Sequence, residues 1–463
     1  MAKRESWPDH PDLRGWLSLL SEHGDLRRLA GPVSGDQEVA AVLTSCDGTS
    51  AVLFVDVEGA AFPLIGNTTA RRRHFGLALG CPDEDVVRRI GAATAAPAPL
   101  AEVPLRDAPV AEVEEDGPDL LSDLPLPVQH EHDGGRYITS ALVCALDPRT
   151  GLTNLSINRL QVAGPRELRA LLLPGRLRQI FEHHEARGED LPVALVIGVD
   201  PVLTLASQSP AEADSDDLGI ASALHPRPLE VVRLPEHPTP VPARAELVLL
   251  GRLRAGRRAE EGPFGEYPRT YGPGGPAPVL ELTRRFRREQ PIVQTILSGG
   301  REHFWVGGLP REARLMSALT RAGASTAAVR LTEAGSCRMH AVVSLRNAQP
   351  GAAFTAAMAV FAALAPLKQV VVVDDDVDVF DDEQVGWALA TRFQADTDLM
   401  VVPRARGGGL DPSAGPGGVT AKLAMDATVG SAARGQFAAM RSAVSDPARL
   451  QALLDQLEPA LHG

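Results

Sequence analysis

Glu246-Leu247-Val248-Leu249-Leu250 and Ile292-Val293-Gln294-Thr295-Ile296 are the runs whose reading decides the fold, and Glu261-Gly262-Pro263-Phe264-Gly265-Glu266 lies between them. Short aliphatic runs bounded by Gly and Pro read as strands. Tyr137-Ile138-Thr139, Gln161-Val162 and Leu195-Val196-Ile197 repeat the signal, so the middle of the chain is expected to form a barrel or compact sheet. One helical hairpin is expected within it, from about Pro165 to Arg187 and broken at Pro174-Gly175.

On the N-terminal side, Leu13, Trp16, Leu17 and Leu20 fall on one face of a helix that Gly24 stops. Ala51-Val52-Leu53-Phe54-Val55 and Phe62-Pro63-Leu64-Ile65 read as strands of an α/β layer, and Ala95-Ala96-Pro97-Ala98-Pro99 reads as a linker. From Arg311 onward, helix and strand alternate again, with the buried-looking run Lys368-Gln369-Val370-Val371-Val372-Val373 entering Asp374-Asp375-Asp376. That acidic run lacks the Gly and distal Glu of a calcium loop and reads as a strand end. A last helix is capped by Asp446, starts with Pro447 and carries Leu450, Leu453, Leu454 and Leu457 on one side, a stripe suited to a neighbouring subunit. The expected class is α/β (α+β), with domains at 1–115, 116–310 and 311–463.

A chain of 463 residues, 44% hydrophobic, can bury a sizeable core. Its net charge of -13 argues against a nucleic-acid surface, and 4% aromatics argue against stacking platforms for bases. No apolar run follows Met1-Ala2-Lys3-Arg4-Glu5, so the sequence reads as cytoplasmic, without a membrane span. Cys46, Cys81, Cys144 and Cys337 show no CxxC spacing and read as reduced thiols.

Glu261 and Glu266 stand five positions apart in a segment that Pro263 and two glycines keep from being helical. A carboxyl turned from such a turn into a closed pocket can carry a proton near neutrality.

Taken with Asp12-Leu13-Arg14, Asp133-Gly134-Gly135-Arg136-Tyr137-Ile138-Thr139, Thr153-Asn154-Leu155-Ser156-Ile157-Asn158-Arg159, Gly198-Val199-Asp200-Pro201 and Val371-Val372-Val373-Asp374-Asp375-Asp376-Val377-Asp378, the chain resembles the UbiD family of prenylated-FMN-dependent reversible decarboxylases. The resemblance spans nearly the whole length. It implies an N-terminal α/β domain, a central split β-barrel of flavin-reductase type that holds the cofactor, and a C-terminal α/β oligomerisation domain. It also implies CO2 loss from an aromatic, heteroaromatic or α,β-unsaturated acid, a flavin prenyltransferase as the cofactor's source, and a homodimer or higher homo-oligomer. The cofactor carries the hard chemistry and the protein supplies orientation and electrostatics.

By motif the family's catalytic trio falls on Arg159, Glu261 and Glu266. Arg159 is expected to pair with Glu261, leaving Glu266 away from that charge as the acid that protonates carbon after CO2 departs. Ser156, Ile157, Asn158 and Gln208-Ser209-Pro210 are expected along the flavin, and Lys368 at its phosphate. The family's manganese (or magnesium), with potassium close by, would sit on Asn154 and Asp217, but the family His is not matched after Pro174-Gly175, where Arg176-Leu177-Arg178 stands. Two readings stay open. Arg176 sets its guanidinium against the phosphate in place of metal charge, or His183 or His184 is recruited from about 9 to 12 Å beyond position 177. Arg269, beyond the acid pair, is a candidate for a second anionic group on the substrate. Other classes also stay open: a non-catalytic flavin-binding relative, or an FMN-dependent split-barrel oxidoreductase, against which the lack of a GxGxxG turn counts.

Overall fold

The structure is a computed structural model that describes residues 11–209, 215–272, 274–429, 434–437 and 446–456. The two long strands Leu247–Glu261 and Gly275–Arg287 pair antiparallel at the centre of a nine-stranded sheet. Their register shifts at Leu250/Gly251 and again between Leu253 and Arg258, and such bulges increase twist and curl a sheet on itself. Gly251 is needed at the first shift, because a Cβ there would lie 2.7 Å from the Glu281 carbonyl oxygen.

Period-two alternation explains why these strands are apolar on both faces. Leu247, Leu249 and Leu253, with Val193, Leu195 and Ile197 of the paired strand Leu191–Ile197, enter one core. Val248 and Leu250, with Ala194 and Val196, enter the other. Each fully buried aliphatic side chain contributes about 1.5–3 kcal/mol, so the sheet joins two cores rather than shielding one.

The expected helical hairpin is corrected in its first arm. Glu167–Ala170 is a strand, paired with Leu160–Val162 and with Gly275–Arg287, and only Arg176–Glu185 is helical. Glu-Leu-Arg-Ala has good helix formers, but two open strand edges outbid a propensity of tenths of a kcal/mol per residue.

A four-stranded sheet orders Leu26–Val33, Ala51–Val57, Leu64–Gly66 and Val293–Gln294, so the strand expected at 292–296 in the central sheet is corrected: it narrows to Val293–Gln294 and joins the N-terminal layer. The helix Leu13–Glu22 buries Leu13, Trp16, Leu17 and Leu20 as read, with Asp12 accepting the Gly15 N–H. The expected linker at 95–99 follows the helix Val86–Ala95 and is pinned by the Ala98 N–H to the Gly219 carbonyl.

The C-terminal sheet runs Thr326–Leu331, His340–Leu345, Gln369–Asp374, Val419–Ala427, Leu399–Arg406. Asp376 at its strand end takes both Arg392 guanidinium nitrogens, and Asp374 accepts the Val429 N–H. The acidic run is therefore structural. In the last described helix, Pro447–Leu454, Asp446 caps as expected and Leu450, Leu453 and Leu454 are exposed; Leu457 lies outside the described residues. Among the described residues, no helix is long and apolar enough to cross a membrane.

Candidate active site

Glu261 ends the long central strand, and Phe264–Gly265 pairs with Tyr271–Gly272 just beyond it. Between them the Gly262–Pro263 peptide is cis and Gly262 has φ of 86°, a region that only glycine enters freely. The Asp133-Gly134 motif clamps this turn through the backbone. Gly134 N–H donates to the Pro263 carbonyl at 2.7 Å, and Asp133 Oδ1 accepts the Gly265 N–H at 2.8 Å. Gln161 closes the ring, donating to the Gly134 carbonyl and accepting the Gly262 N–H.

The clamped turn holds both carboxylates against Arg159. Its Nη2 donates to Glu261 Oε2 at 2.8 Å and its Nη1 to Glu266 Oε1 at 2.6 Å. Tyr137 Oη donates to the other Glu261 oxygen at 3.1 Å, and the Phe264 ring lies beneath the guanidinium. The expectation that Glu266 stands away from Arg159 is thereby corrected. A forked guanidinium reaches two carboxylates at once, which a sequence separation cannot reveal. Burial raises the Glu266 carboxyl above its ordinary 4.5, and Arg159 opposes that rise. Burial works against the Arg159 charge, yet its two carboxylates more than offset this.

Glu266 and Arg159 line a cavity of about 190 Å³. Ile157, Asn158, Gln208, His303, Arg311 and Arg338 are among its lining residues. These last three were missed in the sequence. The signal lay in Gly307-Gly308-Leu309-Pro310, two glycines and a proline inside the helix Arg301–Arg321, which carries His303 and Arg311 and lets Arg338 approach at Gly307. A second hollow of about 90 Å³, beside Asp200 and His225, lies apart from the acid pair, and Asp200 there caps the helix Pro201–Ala206.

The remaining expected residues divide. Ser156 Oγ accepts from Asn158 and Asn154, which keeps these three together on and beside the strand Thr153–Ile157. Ser209 Oγ donates to the Leu205 carbonyl, and Pro210 lies outside the described residues. Lys368 does not line the cavity; its ammonium is tied to Asp411 and Ser413. Arg269 is exposed, donates to the Gly299 carbonyl and covers the Phe304 ring, so it is not the cavity's anion partner.

Asn154 and Asp217 were expected to carry a divalent ion, and their surroundings do not fit one. Asp217 Oδ1 accepts from Arg176 Nη1 at 3.0 Å and Oδ2 from the Leu155 N–H at 2.8 Å. Burial pushes the Asp217 carboxyl up to about 7, with Arg176 opposing. No group of three His, Cys, Asp or Glu converges among the described residues. His184 faces Glu189 instead. Arg176 Nε and Nη2 are buried without a partner, a guanidinium edge left for an anion.

The curled sheet and its cavity place a buried Arg-Glu-Glu set where it can meet a ligand, and comparison with known proteins identifies the protein as a carboxy-lyase. Three models of 3-octaprenyl-4-hydroxybenzoate carboxy-lyase match in order: the N-terminal domain at residues 17–94, the Rift-related domain at 101–301 and the C-terminal domain at 304–427. The chain belongs to the UbiD family. It is 36% identical over 425 residues to anhydromevalonate phosphate decarboxylase of Methanothermobacter thermautotrophicus, covering 92% of this chain and 98% of that protein. It is 29% identical to phenolic acid decarboxylase of a Streptomyces species, covering 97% and 98%. The UbiD-class enzyme HmfF from Pelotomaculum thermopropionicum, solved in complex with FMN, superimposes with a TM-score of 0.93 at 41% identity over 96% of this chain and all of that one.

Proposed function

We propose that the protein reversibly decarboxylates a conjugated acid, aromatic, heteroaromatic or α,β-unsaturated, using prenylated FMN. The observation that carries this reading is Arg159 held between two buried carboxylates on the cavity wall. The lining fits a flavin ring, since Ile157, Asn158 and Gln208 offer an apolar and amide surface, and the unpartnered edge of Arg176, which lies outside that lining on Asp217, is assigned to the phosphate. When bound, the cofactor supplies the electron sink for the charge left as CO2 departs. Glu266 delivers the proton to carbon. Arg159, itself anchored by Glu261 and Tyr137, orients Glu266. A related HmfF is known in complex with prenylated FMN, which supports the cofactor assignment.

The test is co-production with a flavin prenyltransferase, then mass analysis of the bound flavin and a panel of acids scored for CO2 loss or solvent deuterium uptake. Prenylated FMN bound with one acid class exchanging is the expected result. Bound cofactor with no acid reacting or exchanging would sink the reading.

Arg176 in place of a divalent ion gives a further prediction. The holoenzyme is expected to keep its flavin after dialysis against a chelator and to contain no stoichiometric manganese by elemental analysis. Arg176→Met is expected to weaken flavin retention about 10- to 100-fold, the worth of a charge-assisted hydrogen-bond pair. Flavin loss on chelation would overturn this. The exposed Leu450, Leu453 and Leu454 face is assigned to contact between copies of the chain. Leu453→Glu is expected to lower the molar mass seen by light scattering.

A further inference from the structure

Glu266 sits in a hairpin whose strands are Phe264–Gly265 and Tyr271–Gly272. The Arg269 N–H donates to the Glu266 carbonyl and the Glu266 N–H to the Thr270 carbonyl, which closes the turn between them. The Asp133 clamp holds one side of this hairpin, where the Tyr271 hydroxyl also accepts the His132 N–H. The other side rests on the segment from Ile296 to Gly300, which leads into the helix Arg301–Arg321. Ser298 Oγ donates to the Gly265 carbonyl, one residue before Glu266. Arg269 Nε donates to the Gly299 carbonyl at 3.1 Å, and its guanidinium covers the Phe304 ring.

This second seam is built for close approach. Gly299 has φ of 72°, and a Cβ there would lie 3.3 Å from Arg269 Cγ and 3.5 Å from the Glu266 carbonyl oxygen. Arg269 has φ of 61°, a left-handed conformation that a residue with a side chain keeps only where its surroundings hold it. Behind the seam, Gln129 fixes the support: its Oε1 accepts the Ser298 N–H and its Nε2 donates to the Ile296 carbonyl, both at 2.9 Å. The Thr139 and Thr295 hydroxyls share a hydrogen bond at 3.0 Å beside that amide, and all four side chains are buried. A satisfied buried polar network holds its members in one arrangement. Ser298 is thus a rigid post, and Arg269 an exposed strap over the same seam.

We propose that Ser298 and Arg269 are positioning residues, which dock the hairpin and so set where the Glu266 carboxyl stands between Arg159 and the substrate carbon. This rests on the reading of Glu266 as the proton donor. Neither residue bonds to the carboxylate itself, whose ion-pair partner is Arg159. With either contact removed, the hairpin keeps its Asp133 side and loosens on the other, and Glu266 moves off Arg159 Nη1. Arg159 opposes the rise that burial gives the Glu266 carboxyl, so separation lets that rise go further. The other titratable groups around Glu266 are Glu261, Tyr267, His303, Arg311 and Arg338, and no contact of theirs is removed by changing Ser298 or Arg269. Arg269, the sequence's candidate for a substrate anion, acquires a different task here.

The test compares Ser298→Ala and Arg269→Asn with the parent holoenzyme, on whichever acid the panel shows to react. Asn tolerates the left-handed conformation but is too short to span to the Phe304 ring. Ser298→Ala is expected to lower kcat about 10- to 100-fold, between the worth of one hydrogen bond and of a displacement of about 1 Å, with KM and flavin content nearly unchanged. Arg269→Asn is expected to lower it about 3- to 10-fold. In both, the fall in decarboxylation with rising pH is expected to move to higher pH, a shift that loosened packing elsewhere does not produce. Ser298→Thr, which keeps the hydroxyl, is expected to restore the pH profile and most of kcat. Hydrogen exchange on the flavin-free proteins is the readout independent of turnover: residues 264–272 are expected to exchange faster in both variants, and the strand Leu191–Ile197 at the parental rate. Parental kcat, pH profile and exchange in both variants, beside an impaired Glu266→Gln, would overturn the docking role and leave Glu266 as donor. Ser298→Thr no better than Ser298→Ala would also overturn it for Ser298. Faster hairpin exchange in the variants beside an unchanged kcat in Glu266→Gln would uphold the docking and sink the donor reading.

Discussion

Glu266→Gln is expected to lower kcat by about 10²- to 10⁴-fold, the usual contribution of a positioned proton donor, while prenylated FMN stays bound. The amide has the shape of the carboxyl and still offers an oxygen to Arg159 Nη1, now 2.6 Å from Glu266 Oε1. Only the proton is lost, so the deficit belongs in kcat and leaves KM nearly unchanged. The pH profile is a second readout. Burial raises the Glu266 carboxyl above 4.5, so its proton-bearing form persists to higher pH than an exposed glutamate allows. Decarboxylation is expected to fall as pH rises through that raised value, and Glu266→Gln is expected to lack this limb. Stability carries the same sign: the folded state holds this proton more tightly than the unfolded one, so stability from Glu266 declines as pH rises from the ordinary value through the raised one. An unchanged kcat in Glu266→Gln would remove Glu266 from the chemistry.

Much of this site was legible because its signals are local. Leu247 to Leu250 alternate between two cores, so a run apolar at every position reads as a strand, and it is one. Pro263 flanked by glycines marks a turn wherever it falls. The misreadings come from contacts distant in sequence. Glu167–Ala170 became a strand because two partners offered edges, one more than a hundred residues away. Glu266 met Arg159 across 107 positions, and no spacing rule reports which carboxylates share one guanidinium. Arg311 and Arg338 sit on a helix and on a separate turn, joined only by the space over Gly307. Arg176 was a departure in the sequence; its pairing with Asp217 gave that departure a geometry.

Arg159→Met is expected to cost about 3–5 kcal/mol of stability at neutral pH, because it removes the cation held between two buried carboxylates. Glu261 keeps the Tyr137 hydroxyl as a donor, whereas Glu266 loses its charged partner. Two anions left in one dry site share a proton, and the first to bind settles on Glu266. The folded state of the variant then binds protons more readily than the unfolded chain, so its stability rises as pH falls toward the unfolded glutamate value near 4.5. The deficit relative to the parent should be full above the raised folded value and shrink on acidification. Arg159→Lys separates charge from geometry: one ammonium supplies the cation but cannot span both carboxylates in the forked arrangement, so stability is expected to return further than activity. Urea midpoints of the three proteins at about pH 8 and pH 5 decide the matter. A loss in Arg159→Met that is equal at both pH values would mean that packing against Phe264, rather than charge between Glu261 and Glu266, is what Arg159 contributes.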